Sequence, residues 1–351
     1  RAGRFGGNVD FTRRSFLQTA GFALAAARCG FAVSNQPMVG FSTLGCPSWD
    51  WAKILDFAQQ HDFSAIELRG LQGMMDLPAR REFQPDRIAQ SKREVAAKNL
   101  KIACVSSSAH LHDRDPEKRN QQISDAKRFI DLAMALGTPN MRLFGNDIEG
   151  PKQQAVDRIV SGLRELGAYG GERGVSVIIE SHGDFTDSPT LSEILSRADS
   201  PHVGLLWDAH HTYVEGKEEP EVTVKKLGKY IRHTHLKDSV PSADGRHYVL
   251  TGHGDVPVRR QVEVLAASGY SGCYTFEWEK VWHPDLAEPE IAIADFAQFM
   301  KQIGVTEPGW PSPVVGDSAP ALRSLVTPQP LGVEEPGPAR SQALPDRPGR
   351  R

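Results

Sequence analysis

From Met38 onward the chain alternates between short apolar runs and longer stretches with a single apolar face. Val39–Ser42 is the first run. Trp51, Ile54, Leu55 and Ala58 then recur at i, i+3, i+4 and i+7, the stripe of an amphipathic helix. Ala65–Leu68 predicts a second strand, ending at Arg69-Gly70. Residues 71–86, with Pro78 and Pro85, predict an irregular loop, and a helix is expected over roughly 86–98. Lys101–Ser106 predicts a third strand, followed by a loop holding His110 and His112. Ile123, Phe129, Ile130 and Ala133 then mark one helix face. Asn140–Phe144 reads as the fourth strand. Val156, Ile159, Val160, Leu163 and Leu166 mark the next helix.

Four more apolar runs follow: Val175–Glu180, Val203–Asp208, Ile231–His235 and Tyr274–Glu277. Helices are expected around Leu191, Ile194, Leu195 and Ala198, at 221–228, at 257–268 and at 288–303, the last including Ile291, Ala294, Phe299 and Met300. Strand–helix alternation implies parallel sheet. Eight such units over about 270 residues match a closed (β/α)8 barrel, a TIM barrel, as a single domain over 37–305. An open doubly wound sheet is the competing arrangement. No Gly-x-Gly-x-x-Gly turn follows the first strand, which weakens it.

The last four strands share a second property. Each ends in a side chain able to hold a metal ion: Glu180, Asp208, His235 and Glu277, separated by 28, 27 and 42 residues. Barrel strands deliver their C-terminal ends to one mouth, so four such ends can converge. Three carboxylates and an imidazole suit a divalent cation, Mn²⁺, Mg²⁺, Co²⁺ or Zn²⁺, with positions left for substrate. The competing interpretation is four unrelated polar strand ends.

Charge narrows the partners. The chain carries a formal charge of −3, but its ends are relatively basic: residues 37–306 hold 31 basic and 38 acidic residues, a net −7. An acidic body argues against nucleic acid as a partner, because phosphate binding needs a basic face. The four cysteines form no CxxC pair, so neither a zinc knuckle nor a disulfide framework is indicated. Cys104 and Cys273 fall in strand-like runs and are expected to be small buried hydrophobes.

The series Ile179-Glu180-Ser-His182, Trp207-Asp208-Ala-His-His211, His233-Thr-His235-Leu-Lys237-Asp238 and Phe276-Glu277-Trp-Glu279 resembles the xylose-isomerase-like barrel superfamily. Gly40-Phe-Ser-Thr43, Ala65-Ile-Glu-Leu-Arg69, Gly252-His-Gly-Asp-Val256 and Gly269-Tyr-Ser-Gly272 are similar to other parts of its pattern. The resemblance covers about 38–303. It implies that Glu180, Asp208, His235 and Glu277 bind one divalent metal and that Glu180 and Glu277 also move protons. The implied chemistry is isomerisation or epimerisation of a sugar, sugar derivative or polyol. A proton next to a carbonyl is removed and returned, through an enediolate that the metal stabilises. The resemblance further implies substrate contacts at His211 and Lys237. His182, two residues beyond Glu180, is expected to orient substrate or to support the ligands from behind, and Arg69, His110 and Arg142 are further candidates at other strand ends. His253 lies in a Gly-rich loop.

One position departs from the pattern. The ketose 3-epimerase branch carries a further glutamate where this chain has Thr186, which weakens free-ketose 3-epimerisation as the specific reaction; Asp184 or Asp187 is the available substitute. Three other functions compete: a lyase of the inosose-dehydratase kind, an exported carbohydrate-binding barrel without activity, and an apurinic endonuclease. The last needs a larger ligand set and a basic face. Such barrels often pair, so a homodimer is a further expectation.

The ends differ from the body. Thr12-Arg13-Arg14-Ser15-Phe16-Leu17-Gln18 and the Ala-rich run after it resemble a twin-arginine export signal over residues 1–36, implying periplasmic export. The apolar run is too short to span a bilayer. Ten of the 24 prolines lie in 307–351, so residues 306–351 are expected to be a disordered tail.

Overall fold

The structure is a computed structural model and describes residues 37–305 except Asp244. The segments expected to be an export signal and a Pro-rich tail lie outside the described residues. Eight strands close into a parallel barrel: β1 (Met38–Ser42), β2 (Ala65–Leu68), β3 (Lys101–His110), β4 (Asn140–Phe144), β5 (Ser176–Glu180), β6 (Val203–Asp208), β7 (Ile231–Leu236) and β10 (Cys273–Phe276). Around the ring the order is β1, β10, β7, β6, β5, β4, β3, β2. Main helices lie between successive strands: α1 (Trp51–Gln60), α2 (Ile88–Ala97), α3 (Pro116–Leu136), α4 (Lys152–Gly171), α5 (Ser188–Ala198), α7 (Pro220–Leu227) and α8 (Val258–Ala267), with α9 (Pro289–Gln302) after β10. The short helix α6 (Ala209–Val214) follows β6 directly.

Helix starts follow local chemistry. Asp50, Asp115 and Asp187 accept hydrogen bonds from backbone N–H groups in the first turns of α1, α3 and α5. Pro occupies the start of α3, α5, α7 and α9, where its missing N–H costs nothing. The apolar stripe of α1 is buried as its spacing predicts. On α9 the buried face is Ala292, Ile293, Phe296, Ala297 and Met300; Ile291 points to solvent.

Period-two alternation sorts the strand residues. One set packs outward against the helices in a single large core. The other faces the barrel axis. There Cys104, Ile178 and Leu206 form a small buried apolar plug. Two residues further along β5 and β6, on the same face, are Glu180 and Asp208. The apolar plug therefore floors a polar mouth.

Three features differ from the sequence expectation. β3 runs to His110 rather than stopping at Ser106, through a register shift between those two residues. Ser107 Oγ donates to the Arg142 carbonyl, and Arg142 Nη1 returns a bond to the Ser107 carbonyl, which holds the irregular stretch against β4. Helix α6 was hidden by its polar composition. So was the antiparallel hairpin of β8 (Asp238–Ser242) and β9 (Gly245–Val249), which contains Pro241 and little buried apolar surface.

Candidate metal centre

Glu180 ends β5, Asp208 ends β6, His235 lies near the end of β7 and Glu277 directly follows β10. These strands are neighbours in the ring, so four residues distant in sequence meet at one mouth. One donor atom from each lies within 4.8 Å of all the others, and all four residues are buried. His235 Nδ1 is the centre of the group. It is 3.1 Å from Glu277 Oε1, 3.6 Å from Glu180 Oε1 and 3.9 Å from Asp208 Oδ2.

Each side chain is aimed by a second contact. Asp208 caps α6: its Oδ1 accepts the His211 N–H at 3.0 Å, which turns Oδ2 toward the mouth. His235 Nε2 lies 2.8 Å from Glu67 Oε2, so the buried carboxylate takes the Nε2 hydrogen and leaves Nδ1 facing the other donors. Glu67 also pairs with His233 Nε2 at 2.8 Å and accepts from Ser42 Oγ at 3.0 Å. Arg142 Nε stands 3.0 Å from Glu180 Oε2, fully buried. Lys237, also fully buried, reaches Glu277 Oε2 at 2.5 Å, Glu279 Oε1 at 2.7 Å and Asp208 Oδ2 at 2.8 Å.

Burial alone would raise the carboxyl groups, but the surrounding cations win. Arg142 and His235 hold Glu180 down to about 2. His235 and Lys237 hold Glu277 well below the usual carboxylate range. Burial would likewise depress His235, but Glu277, Glu67 and Glu180 hold it well above the usual imidazole range. Lys237 is raised against its own burial by Asp208, Glu277 and Glu279.

A divalent cation fits this donor set. His235 Nδ1, Asp208 Oδ2 and Glu180 Oε2 are buried without an aligned hydrogen bond, although Lys237 and Arg142 stand 2.8 and 3.0 Å from the two carboxylates, so a divalent cation can supply the contacts that this geometry leaves open. Three oxygen donors and one nitrogen suit Mg²⁺, Mn²⁺, Co²⁺ or Zn²⁺.

The remaining candidates divide by position. His211 is beside the centre, with Nδ1 3.1 Å from the Ser181 carbonyl, which leaves Nε2 unengaged by that contact. Its ring meets that of His182 edge-on at 5.0 Å. His182 pairs with Asn146 Oδ1 at 3.1 Å and is lowered by burial, so it is neutral near pH 7. Arg69, at the end of β2, donates to Ser108 Oγ at 3.0 Å and does not touch the four. His110 turns to Asp113 and His112 instead. Asp184 accepts from the Ile148 N–H and Asp187 from the Thr190 N–H, so both are engaged with backbone near the buried Thr186. His253 is exposed. Asp238 does not pair with Lys237. Its carboxylate collects N–H groups from Ser239, Gly252, Gly254 and Val256. A Cβ on Gly254 would collide with Asp238 Oδ1, which explains that glycine and ties the β8–β9 hairpin to the mouth.

Sequence reasoning did not single out Glu67, His233 or Tyr248. Glu67 had a signal: a lone carboxylate inside the apolar run Ala65–Leu68. His233 had one too, two residues before His235 and therefore on the same face. Tyr248, which donates to Glu279 at 2.9 Å, lies on the unexpected hairpin and had none.

Fold and mouth together define a metal-competent (β/α)8 barrel. The chain belongs to the xylose isomerase-like TIM barrel family, whose pattern matches residues 55–303. Among solved structures it is similar to D-psicose 3-epimerase with D-tagatose from Clostridium cellulolyticum H10, at 16% identity and a TM-score of 0.62, covering 76% of this chain and 99% of that one. It is also similar to the probable 3-DHS dehydratase involved in petrobactin synthesis from Bacillus anthracis, at 18% identity and 0.62, covering 75% and 98%. A xylose isomerase-like TIM barrel protein from Mycobacterium smegmatis in complex with magnesium matches at 18% identity and 0.58, covering 77% and 97%. At these identities the likeness is one of fold. No curated protein sequence matches the chain. Among the described residues, no helix is long and apolar enough to cross a membrane.

Proposed function

We propose that this protein is a divalent-metal-dependent isomerase or epimerase of a sugar, sugar derivative or polyol, working by proton transfer next to a carbonyl. One observation carries the reading: Glu180 and Glu277 sit on opposite flanks of His235 and Asp208, each buried and each held ionised by its own cation. A bound divalent ion would polarise a carbonyl and neighbouring hydroxyl and lower the cost of the enediolate charge. Glu180, Asp208, His235 and Glu277 would hold it. An ionised carboxylate on either side of the substrate carbon can accept a proton, and the opposite one, once protonated, can return it. Arg142 and Lys237 set how tightly each glutamate keeps that proton. His211 Nε2 and the neutral His182 offer hydrogen-bonding positions for hydroxyl groups. The neighbouring sugar epimerase folds agree with a carbohydrate substrate.

Dehydration is the second reading: it begins with the same proton removal, the similar dehydratase fold agrees with it, and a bound divalent ion would stabilise the hydroxide that leaves. A panel of sugars, keto sugars and inososes in deuterated water tests both. Isomerisation incorporates solvent deuterium and otherwise conserves product mass; dehydration loses water. Glu180→Gln and Glu277→Gln should each abolish exchange. Sugar binding by the metal-loaded protein without any exchange would instead support a binding protein. The Arg13-Arg14 segment carries a separate proposal, export to the periplasm. A reporter fused after residue 36 should be exported, and a Lys-Lys variant should not.

A further inference from the structure

The mouth holds a second group of metal-competent side chains that the reaction above does not use. His110, His112 and Asp113 lie where β3 runs into α3, with donor atoms all within 4.8 Å of one another. They are distinct from the first centre. His110 pairs in register with Phe144, and Phe144 with Glu180. His110 is therefore two strands from Glu180 at the same height, about 10 Å around the rim.

The hydrogen bonding of this group is incomplete in the same way as at the first centre. His110 Nδ1 is 3.3 Å from the Ser108 carbonyl, which turns Nε2 toward Asp113. Nε2 lies 3.1 Å from Asp113 Oδ2. Asp113 Oδ2 and His112 Nδ1 are both buried without a hydrogen-bond partner, and the two residues are 8% and 7% exposed. Asp147, from the loop after β4, brings Oδ2 to 3.7 Å from His112 Nε2. The two buried polar atoms left without a hydrogen bond, with His110 Nε2 beside them, are contacts that a bound cation would complete.

We propose that His110, His112 and Asp113 form a second divalent-cation site, selective for zinc or cobalt over manganese and magnesium. Two imidazoles and one carboxylate are the donors that Zn²⁺ and Co²⁺ favour, whereas the oxygen-rich first centre also takes Mn²⁺ and Mg²⁺. Tetrahedral zinc with bonds of about 2.1 Å spaces its donors by about 3.4 Å. His110 Nε2 and Asp113 Oδ2 already meet that spacing. The His112 ring, stacked on His110 at 4.5 Å, reaches it by swinging off the stack. Asp147 is placed to join as a fourth donor and would tie the loop after β3 to the loop after β4. The Arg158 side chain already links those loops through the His112 and Glu149 carbonyls.

The test is metal stoichiometry on the full, metal-stripped chain. Two zinc ions per chain are expected, but one manganese. His112→Gln and Asp113→Asn should each lower zinc uptake to one while manganese stays at one, which also reports that the variant is folded. In Asp208→Asn/His235→Gln the first centre is disabled, and one zinc should remain. Cobalt bound to that double variant should show visible absorption that His112→Gln removes. A wild-type chain that binds one zinc, lost with Asp208→Asn/His235→Gln and untouched by His112→Gln, overturns the proposal and leaves the first centre standing. Two zinc ions retained in both His112→Gln and Asp113→Asn also overturn it. A single zinc lost only with His112→Gln supports this site and counts against the first.

Discussion

Two polar layers are stacked inside the barrel, and they differ in how far their hydrogen bonds are filled. In the deeper layer both Glu67 oxygens are occupied, by Ser42 on one side and by His233 and His235 on the other. In the layer at the mouth Glu180 Oε2, Asp208 Oδ2 and His235 Nδ1 lack aligned partners. Both layers are buried, so both were taken out of water at a cost. The deeper one offsets much of that cost through its contacts to Glu67, leaving His233 Nδ1 unpaired, and acts as scaffold. At the mouth the carboxylates share Arg142, Lys237 and a protonated His235 without closing their hydrogen bonds, so a divalent cation can enter by displacing the His235 proton. His235 belongs to both, with Nε2 in the scaffold and Nδ1 in the site.

The comparison can be broken most severely at the mouth. Asp208→Asn or His235→Gln removes a proposed metal donor, and manganese affinity should fall by more than the about 10–100-fold that loss of an outer-shell partner costs, while the barrel stays folded. Calorimetric titration checks this; unchanged affinity in either variant would remove that residue from the site.

Lys237 is next. Replacing it with Met leaves Asp208 and Glu277 facing each other without their shared ammonium. Loss of one partner of a buried ion pair costs about 3–5 kcal/mol. Urea unfolding of the metal-free variant should show that loss, and added manganese should restore more stability to the variant than to the wild type. Equal gains would mean that the lysine and the metal do not share charge.

Glu67→Gln probes the scaffold layer. It should cost about 10–100-fold in metal affinity, because His235 loses the carboxylate that fixes its tautomer. An effect as large as that of Asp208→Asn would show that the two layers are not separable as described.

Proton competition is the mildest probe. His235 is raised in the folded chain, so near pH 7 the metal-free protein carries a proton there, and a metal ion needs the neutral ring. Uptake should release that proton, and affinity should climb about tenfold per pH unit until the raised value is passed. Glu180, held at about 2, stays ionised throughout and adds nothing in this range. Titrations in buffers of different ionisation enthalpy count the protons; a pH-independent affinity would contradict the assignment of His235.

Much of this was legible in the sequence because strands write themselves plainly. The runs ending in Glu180, Asp208, His235 and Glu277 are β-branched or aromatic, and each puts its polar residue at the barrel's C-terminal mouth. Their convergence followed from topology alone. The deeper layer was harder to read. Glu67 sits in the middle of a strand, where one carboxylate says nothing about its partner 168 residues away at His235. The β8–β9 hairpin was invisible for a different reason. It is held by Asp238 collecting backbone N–H groups, not by apolar burial, so no hydrophobic period marks it. The extension of β3 to His110 depends on Arg142 and Ser107 bridging a register shift, which no spacing rule anticipates.

The claim that the unfilled layer is a cation site is tested most directly by titrating metal-free chain with Mn²⁺ and following free ion by paramagnetic resonance. The account predicts one ion bound per chain, and none in Asp208→Asn/His235→Gln. A wild-type chain that leaves all the manganese free, or a double variant that still binds one ion, would contradict it.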